Sequence, residues 1–377
     1  MRLLISLFKY FPFGGLQKDT LRFAREAARR GHQVDLLVTA WQGERPTDAN
    51  LTVHFTPPIR AWTNTARMDE FARRVEEFRR QQDYDVTLAM NRIPGADFYF
   101  AADACMKHYL KQAHWAITLA LSPRYRAILR QEEAVFSPQS HTRIFTIADA
   151  QVREFQEEYG TQSARFFPLP PGMDEACLPP PAETARKLRQ STRQELGLND
   201  ADKLLLLVGT SFYNKGADRV LTALAALPSS LRDRVHFAMI GNSPAKTINH
   251  FARKLGLPLR SIHPIPPREH VAELLLAADL MVHPARSEGA GAVLVEALAN
   301  GLPVICTEDC GFSPYVADAG CPVIPSPFRQ SALNQTLAET LPRLPALRES
   351  INAYAATQDF CARSRVAIET LESFIAK

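Results

Sequence analysis

A chain of 377 residues is too long for one compact core and fits two domains. With 46% hydrophobic and 22% charged residues it has the composition of a soluble globular protein, and a net charge of +4 is too mild to argue for nucleic acid. No apolar run is long enough to span a membrane, and six scattered cysteines without a CxxC pair argue against a disulfide scaffold or a zinc site and fit reduced thiols in the cytoplasm.

The start, Met1–Lys9, has the look of a signal sequence, but Lys9 interrupts its apolar run and no small-residue cleavage site follows, so it reads as a buried first strand, Arg2–Phe8. FPFGGLQKD leads into a helix over 16–30, closed by Gly31-His32, and Gln33–Thr39 is the next strand. Strand, glycine turn, helix, strand is a βαβ unit of a parallel sheet. Gly14-Gly15 stand at a strand's carboxyl end, where open α/β sheets bind ligands, but without GxGxxG the site is not a dinucleotide fold. Asp19 falls in the first helical turn, either complementing the dipole or facing an acceptor hydroxyl.

Further strands are expected at 51–55, 85–89, 97–101 and 143–148, with a charged helix near 68–81. Asp103 follows the fifth strand at its carboxyl end. Two DxD patterns, Asp83-Tyr84-Asp85 and Asp200-Ala201-Asp202, precede strands and so lie on the wrong edge for a metal-bound diphosphate. Residues 106–131 contain no Asp or Glu but carry Lys107, Lys111, Arg124, Arg126 and Arg130 among Trp115, Tyr125 and aliphatic residues. That composition suits an anionic membrane surface; an ordinary basic surface over a core face is the plainer alternative.

Proline crowding over 166–181 marks an extended interdomain linker. The pattern then restarts: strand 203–208, loop 209–214, a helix from Lys215, strand 235–240 with Gly241 as its turn, a helix to Leu255, a helix over 268–277, and strand 280–283. Lys215-Gly216 at a strand-to-helix junction places an ammonium where it serves as a phosphate clamp. The loop Glu288-Gly289-Ala290-Gly291 has little side-chain bulk, and the amphipathic helix behind it ends at Gly301 and Pro303. Its N-terminus favours an anion such as phosphate. Glu296 lies about one turn inside, roughly 6 Å from the helix start, and leans back toward it, as suits a ribose, with Glu288 reaching hydroxyls of a sugar beyond. A capping Glu followed by a half-buried one is the bland alternative. Residues 353–377 contain an amphipathic helix placed to cross back onto the first domain.

Glu288 and Glu296, spaced E-x7-E, together with Lys215-Gly216 and Gly14-Gly15, resemble the retaining GT-B glycosyltransferases of family 4. FKYFPFGGLQKD at 8–19, YFAADAC at 99–105, FPLPPG at 167–172, the 283–303 segment and TQDF at 357–360 narrow the resemblance to lipopolysaccharide core glucosyltransferases. The resemblance implies an α/β protein of two Rossmann-like domains with parallel sheets facing across a cleft. Their expected bounds are 1–167 and 168–355, with 356–377 returning to the first. It implies transfer of a hexose from a UDP-sugar, UDP-glucose first, to the inner-core heptose of lipopolysaccharide, on the cytoplasmic face of the inner membrane, with retention and no metal or other cofactor.

By position, Lys215 and the N–H groups of Ala292 and Val293 hold the diphosphate, Glu296 the ribose, and Glu288 with Gly289, Ala290 and Gly291 the hexose; Gly241 belongs to the same donor site. Gly14, Gly15 and Asp19 line the reaction side, with Asp103 near sugar or acceptor, so that Asp19, Asp103, Lys215 and Glu288 form the catalytic set. Residues 106–131 match the family's membrane contact. Two departures stand out: Asn214 replaces the Arg that relatives place before the lysine, and Gly289 and Ala292 are small enough to admit a UDP-N-acetylhexosamine. Rival readings are hydrolysis by the paired glutamates and a non-enzymatic membrane-surface scaffold of lipopolysaccharide assembly.

Overall fold

Apolar runs that alternate with amphipathic stretches give two doubly wound α/β units in the computed structural model, which describes residues 1–12, 14–112, 122–267 and 271–376. One unit comprises Met1–Gly172 with Ala362–Lys377, the other Met173–Cys361.

The first unit holds strands β1 (Arg2–Tyr10), β2 (Gln33–Trp41), β3 (Leu51–Phe55), β4 (Val86–Ala89), β5 (Phe98–Ala101), β6 (Arg143–Thr146) and β7 (Phe166–Pro168). They pair in parallel in the order β3-β2-β1-β4-β5-β6-β7. Leu3, Leu4, Ile5 and Leu7 are all buried, as expected of a central strand covered on both faces. Helices α1 (Gly15–Arg29), α2 (Asn64–Arg79), α3 (Met106–Gln112), α4 (Pro123–Phe136) and α5 (Asp149–Tyr159) cover the sheet. Phe23, Ala24, Ala27 and Ala28 form the buried stripe of α1. Thr63 caps α2, its hydroxyl accepting from the Ala66 N–H at 3.2 Å, which starts that helix a turn earlier than the sequence pattern indicates.

The second unit has β8 (Lys203–Val208), β9 (Val235–Ile240), β10 (Ile262–Ile265), β11 (Leu280–His283), β12 (Val304–Thr307) and β13 (Val323–Ile324), parallel in the order β10-β9-β8-β11-β12-β13. Its helices include α6 (Ala182–Glu195), α7 (Ala217–Ala226), α8 (Ser229–Arg232), α9 (Ala245–Lys254), α10 (Ala272–Ala277) and α11 (Ala292–Ala299). Strand order reverses between β1 and β4 and between β8 and β11, and the carboxyl ends at such switch points are where this architecture binds ligands.

Several expectations need correction. Phe166–Pro168 is not linker but edge strand: Phe167 pairs with Phe145. The chain therefore leaves the first unit at Gly172, not at 167, and re-enters at Ala362, not at 356. The helix after β8 starts at Ala217, leaving Lys215-Gly216 in the turn. Of the helix expected over 268–277 the described part is α10, residues 268–270 lying outside the described residues. Both DxD patterns do lie at the amino edge: Asp85 accepts from the Arg2 N–H at 2.6 Å, and Asp202 from the Asn199 N–H at 2.8 Å.

The C-terminal helix, Arg363–Ile375, belongs to the first unit and buries Ala367, Ile368 and Leu371. Glu372 holds Arg30 and His32 at 2.6 Å each. At its first residue, the buried Arg363 guanidinium meets Asp19 at 2.9 Å and donates to the Pro170 carbonyl at 3.1 Å. Its stem fills the space where a Cβ on Gly172 would come within 2.8 Å. Arg22 reaches Asp19 at 3.3 Å and the Gly172 carbonyl at 2.8 Å. Asp19 thus anchors the returning helix, contrary to the expectation of a carboxylate open to an acceptor.

Breaking a buried pair by removing one partner costs about 3–5 kcal/mol. Arg363→Ala is therefore expected to speed amide hydrogen exchange along 363–375 by at least a hundredfold; protection equal to the parent's would contradict the anchoring role.

Candidate functional site

At the switch point of the second sheet, missing side chains determine how closely three loops approach. A Cβ on Gly209, after β8, would lie 2.4 Å from Cγ of Lys215, so the lysine stem runs across bare backbone. Gly216 has φ +76°, and a Cβ there would stand 2.1 Å from the Pro284 carbonyl oxygen. Only glycine allows the turn after β8 to press against the turn after β11. Gly241, after β9, meets Gly209 in the same way, its hypothetical Cβ falling 1.8 Å from the Gly209 oxygen. These contacts bring Lys215 over the β11 loop.

There the Lys215 ammonium pairs with Glu288 Oε2. His283 Nε2, at the last residue of β11, approaches the same oxygen at 3.3 Å. A nitrogen that faces a carboxylate is assigned the proton, so Nε2 donates. His283 is fully buried, and its Nδ1 has no hydrogen-bond partner among the described residues. Burial pushes the Glu288 carboxyl up, but the hydrogen bonds from His283 and Lys215 and their charges outweigh it, and the net direction is below the ordinary value. The loop backbone is tied down as well. The Glu288 N–H donates to Asp309 at 3.2 Å, and its carbonyl accepts from Gly311 at 3.0 Å. The Ala290 carbonyl accepts from Phe312 at 2.7 Å. The Glu288 N–H is thus already used within the fold.

Gly291 (φ +85°) caps α11 in the left-handed region. Leu294 N–H is the first to close on it, at 2.9 Å, so the Ala292 and Val293 donors have no intrahelical acceptor and point out of the helix end. Gly289 and Ala292 are exposed, and Ala290, Val293 and Glu296 half-buried. Leu294, Val295, Ala297 and Leu298 face the core. Lys215, Gly241, Glu288–Val293 and Glu296 therefore collect at one carboxyl edge of one unit.

Two functional candidates escaped the sequence reading. His283 registers in a sequence only as a strand's last residue. Arg286 stands beside Asn214: its N–H donates to the Asn214 carbonyl at 2.8 Å, while its guanidinium takes Asp218 at 2.7 and 2.9 Å and the Tyr213 carbonyl. The side chain is about a third exposed, so a cation does stand at the position next to the one the missing arginine would fill.

In the first unit Gly14 and Gly15 open α1 at the carboxyl end of β1, with open space above Gly15. Asp103 is exposed and lines a cavity of about 470 Å³ with Asn91, Arg92, Met106, Tyr109 and Gln131. Under it, the fully buried Glu132 binds Arg92 at 2.7 Å and accepts from the Met106 and Lys107 N–H groups at 2.9 and 3.0 Å, capping α3. The basic segment is not the free cationic face that the sequence expects. Lys107 donates to the Glu158 carbonyl and sits over the Tyr159 ring, Lys111 pairs with Glu158 at 2.6 Å, and Arg130 with Asp69 at 2.5 Å. Arg124 and Arg126 are exposed with no ion-pair partner among the described residues, Tyr125 is half-buried, and Trp115 lies outside the described residues.

Residues 13–176 match the family model described as glycosyltransferase family 4, and 189–358 that of glycosyl transferases group 1. The lipopolysaccharide glucosyltransferase WaaG of Escherichia coli (strain K12) is 38% identical over 359 residues, 94% of each chain. A crystal structure of WaaG, a glycosyltransferase involved in lipopolysaccharide biosynthesis, superposes with a TM-score of 0.84 at 36% identity over 98% of this chain and 99% of that one. The fold is shared with Anabaena Alr3699/HepE in complex with UDP and glucose, at a TM-score of 0.70 and 16% identity over 99% and 100% of the two chains.

A carboxyl whose folded pKa is lowered adds stability that is present above its unfolded value and lost as pH falls through the folded one. The Lys215–Glu288–His283 cluster is therefore expected to hold through mild acid and to open only below the ordinary glutamate value of 4.5. Carbon-13 titration of the Glu288 carboxyl should give a midpoint under that value; one at or above it would contradict the cluster.

Proposed function

The chain belongs to the family 4, group 1 glycosyltransferases of GT-B architecture, and from that premise we propose that it transfers glucose from UDP-glucose to the inner-core heptose of lipopolysaccharide, with retention of configuration. The observation that carries the reading is the Lys215–Glu288 pair beside the α11 N-terminus, at the switch point of the second sheet. A nucleotide diphosphate brings negative charge to a helix end with open donors and a lysine held by a single carboxylate. The ammonium and the Ala292 and Val293 N–H groups take the phosphates, and Glu296 takes the ribose. Glu288, relieved of its lysine, turns to the hexose hydroxyls with Ala290 and Gly291. Arg286 supplies the second cation that relatives carry one position before the lysine.

In the transfer the glycosidic oxygen of the β-phosphate departs as charge builds on it, and fixed cations stabilise that charge without reorganising. The leaving phosphate accepts the acceptor's proton on the face it vacates. Lys215, Arg286 and the helix end meet the charge that a metal meets in other transferases, and we assign no metal to the reaction. Gly14, Gly15 and Asp103 are assigned to the acceptor side. The exposed Arg124 and Arg126 are assigned to an anionic inner-membrane surface, where a lipid-linked acceptor is presented. No described helix is long and apolar enough to cross a membrane.

One observation favours a second donor: nothing lies within 4 Å of a Cβ built on Gly289, so a UDP-N-acetylhexosamine has room there. Turnover with UDP-glucose against UDP-N-acetylglucosamine and UDP-N-acetylgalactosamine separates the two, and a strong glucose preference is expected. Lys215→Ala should lower kcat roughly 10²-fold or more; near-normal turnover would refute the clamp. Arg286→Gln should raise the donor KM about tenfold, the range of one hydrogen bond to a charged group; an unchanged KM would remove Arg286 from the site.

A further inference from the structure

Trp62 is 100% exposed, and nothing inside the fold accounts for it. It precedes the Thr63 cap of α2, the position from which an apolar residue ordinarily packs onto the fourth residue of the helix. That residue is Arg67, itself exposed. The loop is nonetheless held. Pro57-Pro58 stiffen it, Ile59 packs against the first core, and Thr63 closes on Ala66 at 3.2 Å. A large aromatic side chain is thus presented to solvent from a fixed frame.

Its surroundings say what it faces. Residues 56–68 contain no Asp or Glu but carry Arg60 and Arg67, both exposed, neither with an ion-pair partner among the described residues. α2 and α4 lie in crossovers of an all-parallel sheet, so both run from the carboxyl edge to the amino edge. Gln131 bonds to the Thr65 carbonyl at 3.4 Å and to Asp69 at 2.9 Å, and Arg130 takes Asp69 at 2.5 Å. The start of α2 is therefore level with residue 131, and the first two turns of α4 project about 12 Å beyond it. The 57–63 loop and the first turns of α4 therefore both stand at the carboxyl edge of the first sheet. Two acid-free stretches, distant in sequence, thus bring to one edge of the first unit an exposed tryptophan and four exposed arginines without an ion-pair partner among the described residues.

We propose that the 57–63 loop is a second membrane contact, in which Trp62 enters the headgroup region of an anionic bilayer while Arg60, Arg67, Arg124 and Arg126 pair with lipid phosphates. The amphipathic indole suits that depth, and the arginines supply the attraction. The inference rests on the membrane assignment made above and extends it to a loop outside residues 106–131. It also gives the enzyme a two-point footing, which fixes how the carboxyl edge of the first sheet meets the lipid surface.

The test uses the full chain with vesicles of phosphatidylethanolamine and phosphatidylglycerol, against phosphatidylcholine alone. In a variant whose other tryptophans, Trp41 and Trp115, are replaced by Phe, emission from Trp62 should shift to the blue on the anionic vesicles only. Arg60→Gln and Arg67→Gln should each weaken partitioning about fivefold, the equivalent of about 1 kcal/mol per basic side chain at an anionic surface. Trp62→Ser should weaken it at least as much, with the far-ultraviolet dichroism unchanged because the side chain is fully exposed among the described residues. Partitioning that survives all three substitutions, with a Trp62 emission that does not move, overturns this contact and leaves the membrane assignment standing. A parent protein that ignores both kinds of vesicle overturns both.

Discussion

One carboxylate organises the second unit. Glu288 is bound by Lys215, 73 residues earlier in the chain, and by His283 at the end of the strand that leads to it. The arrangement demands glycine at 209, 216 and 241, because any side chain there would push the three loops apart. It also demands the backbone bonds from 288–290 to 309–312, which keep the loop from following its charge into solvent. Removing two half-buried charges from water is costly unless the bonds are good and numerous, and here the Lys215 ammonium and the His283 ring N–H share one acceptor. The result is a lysine held in place with its charge only partly met. On the proposed reading, an incoming phosphate takes the carboxylate's place at an ammonium that is already held in position.

The same physics accounts for the first unit and its returning helix. Asp19, Arg22 and Arg363 close on the backbone of 170–172, where the chain leaves the unit, and Gly172 leaves room for the Arg363 stem. A carboxylate enclosed in this way is part of the frame. The acid that remains exposed near a cavity is Asp103, above the buried Arg92–Glu132 pair. Near Asn214 a lost charge has a neighbour: Arg286, on a different loop, stands beside it, held by Asp218.

Much of this was legible in the sequence. Alternating apolar runs and glycine turns gave the central strands of both sheets and α1 within a residue or two. The spacing of Glu288 and Glu296 with Lys215-Gly216 marked the helix end. What the sequence did not show was tertiary pairing. An acid-free run of basic residues looked like a free cationic face, yet Lys111 and Arg130 find Glu158 and Asp69 on other elements. Asp19 looked like a site carboxylate because its partner Arg363 lies 344 residues away. His283 and Trp62 carried no pattern at all; one is marked by burial against a carboxylate, the other by full exposure. Edge strands such as Phe166–Pro168 and β13 were hidden because two or three residues are too few for periodicity, and prolines nearby signal a linker.

The most direct measurement is a crystal structure of the protein with UDP. The account predicts the β-phosphate within hydrogen-bond distance of Lys215 Nζ and of the Ala292 or Val293 N–H, with Glu288 released from the lysine. UDP bound away from the α11 N-terminus, with the Lys215–Glu288 pair intact, would contradict it.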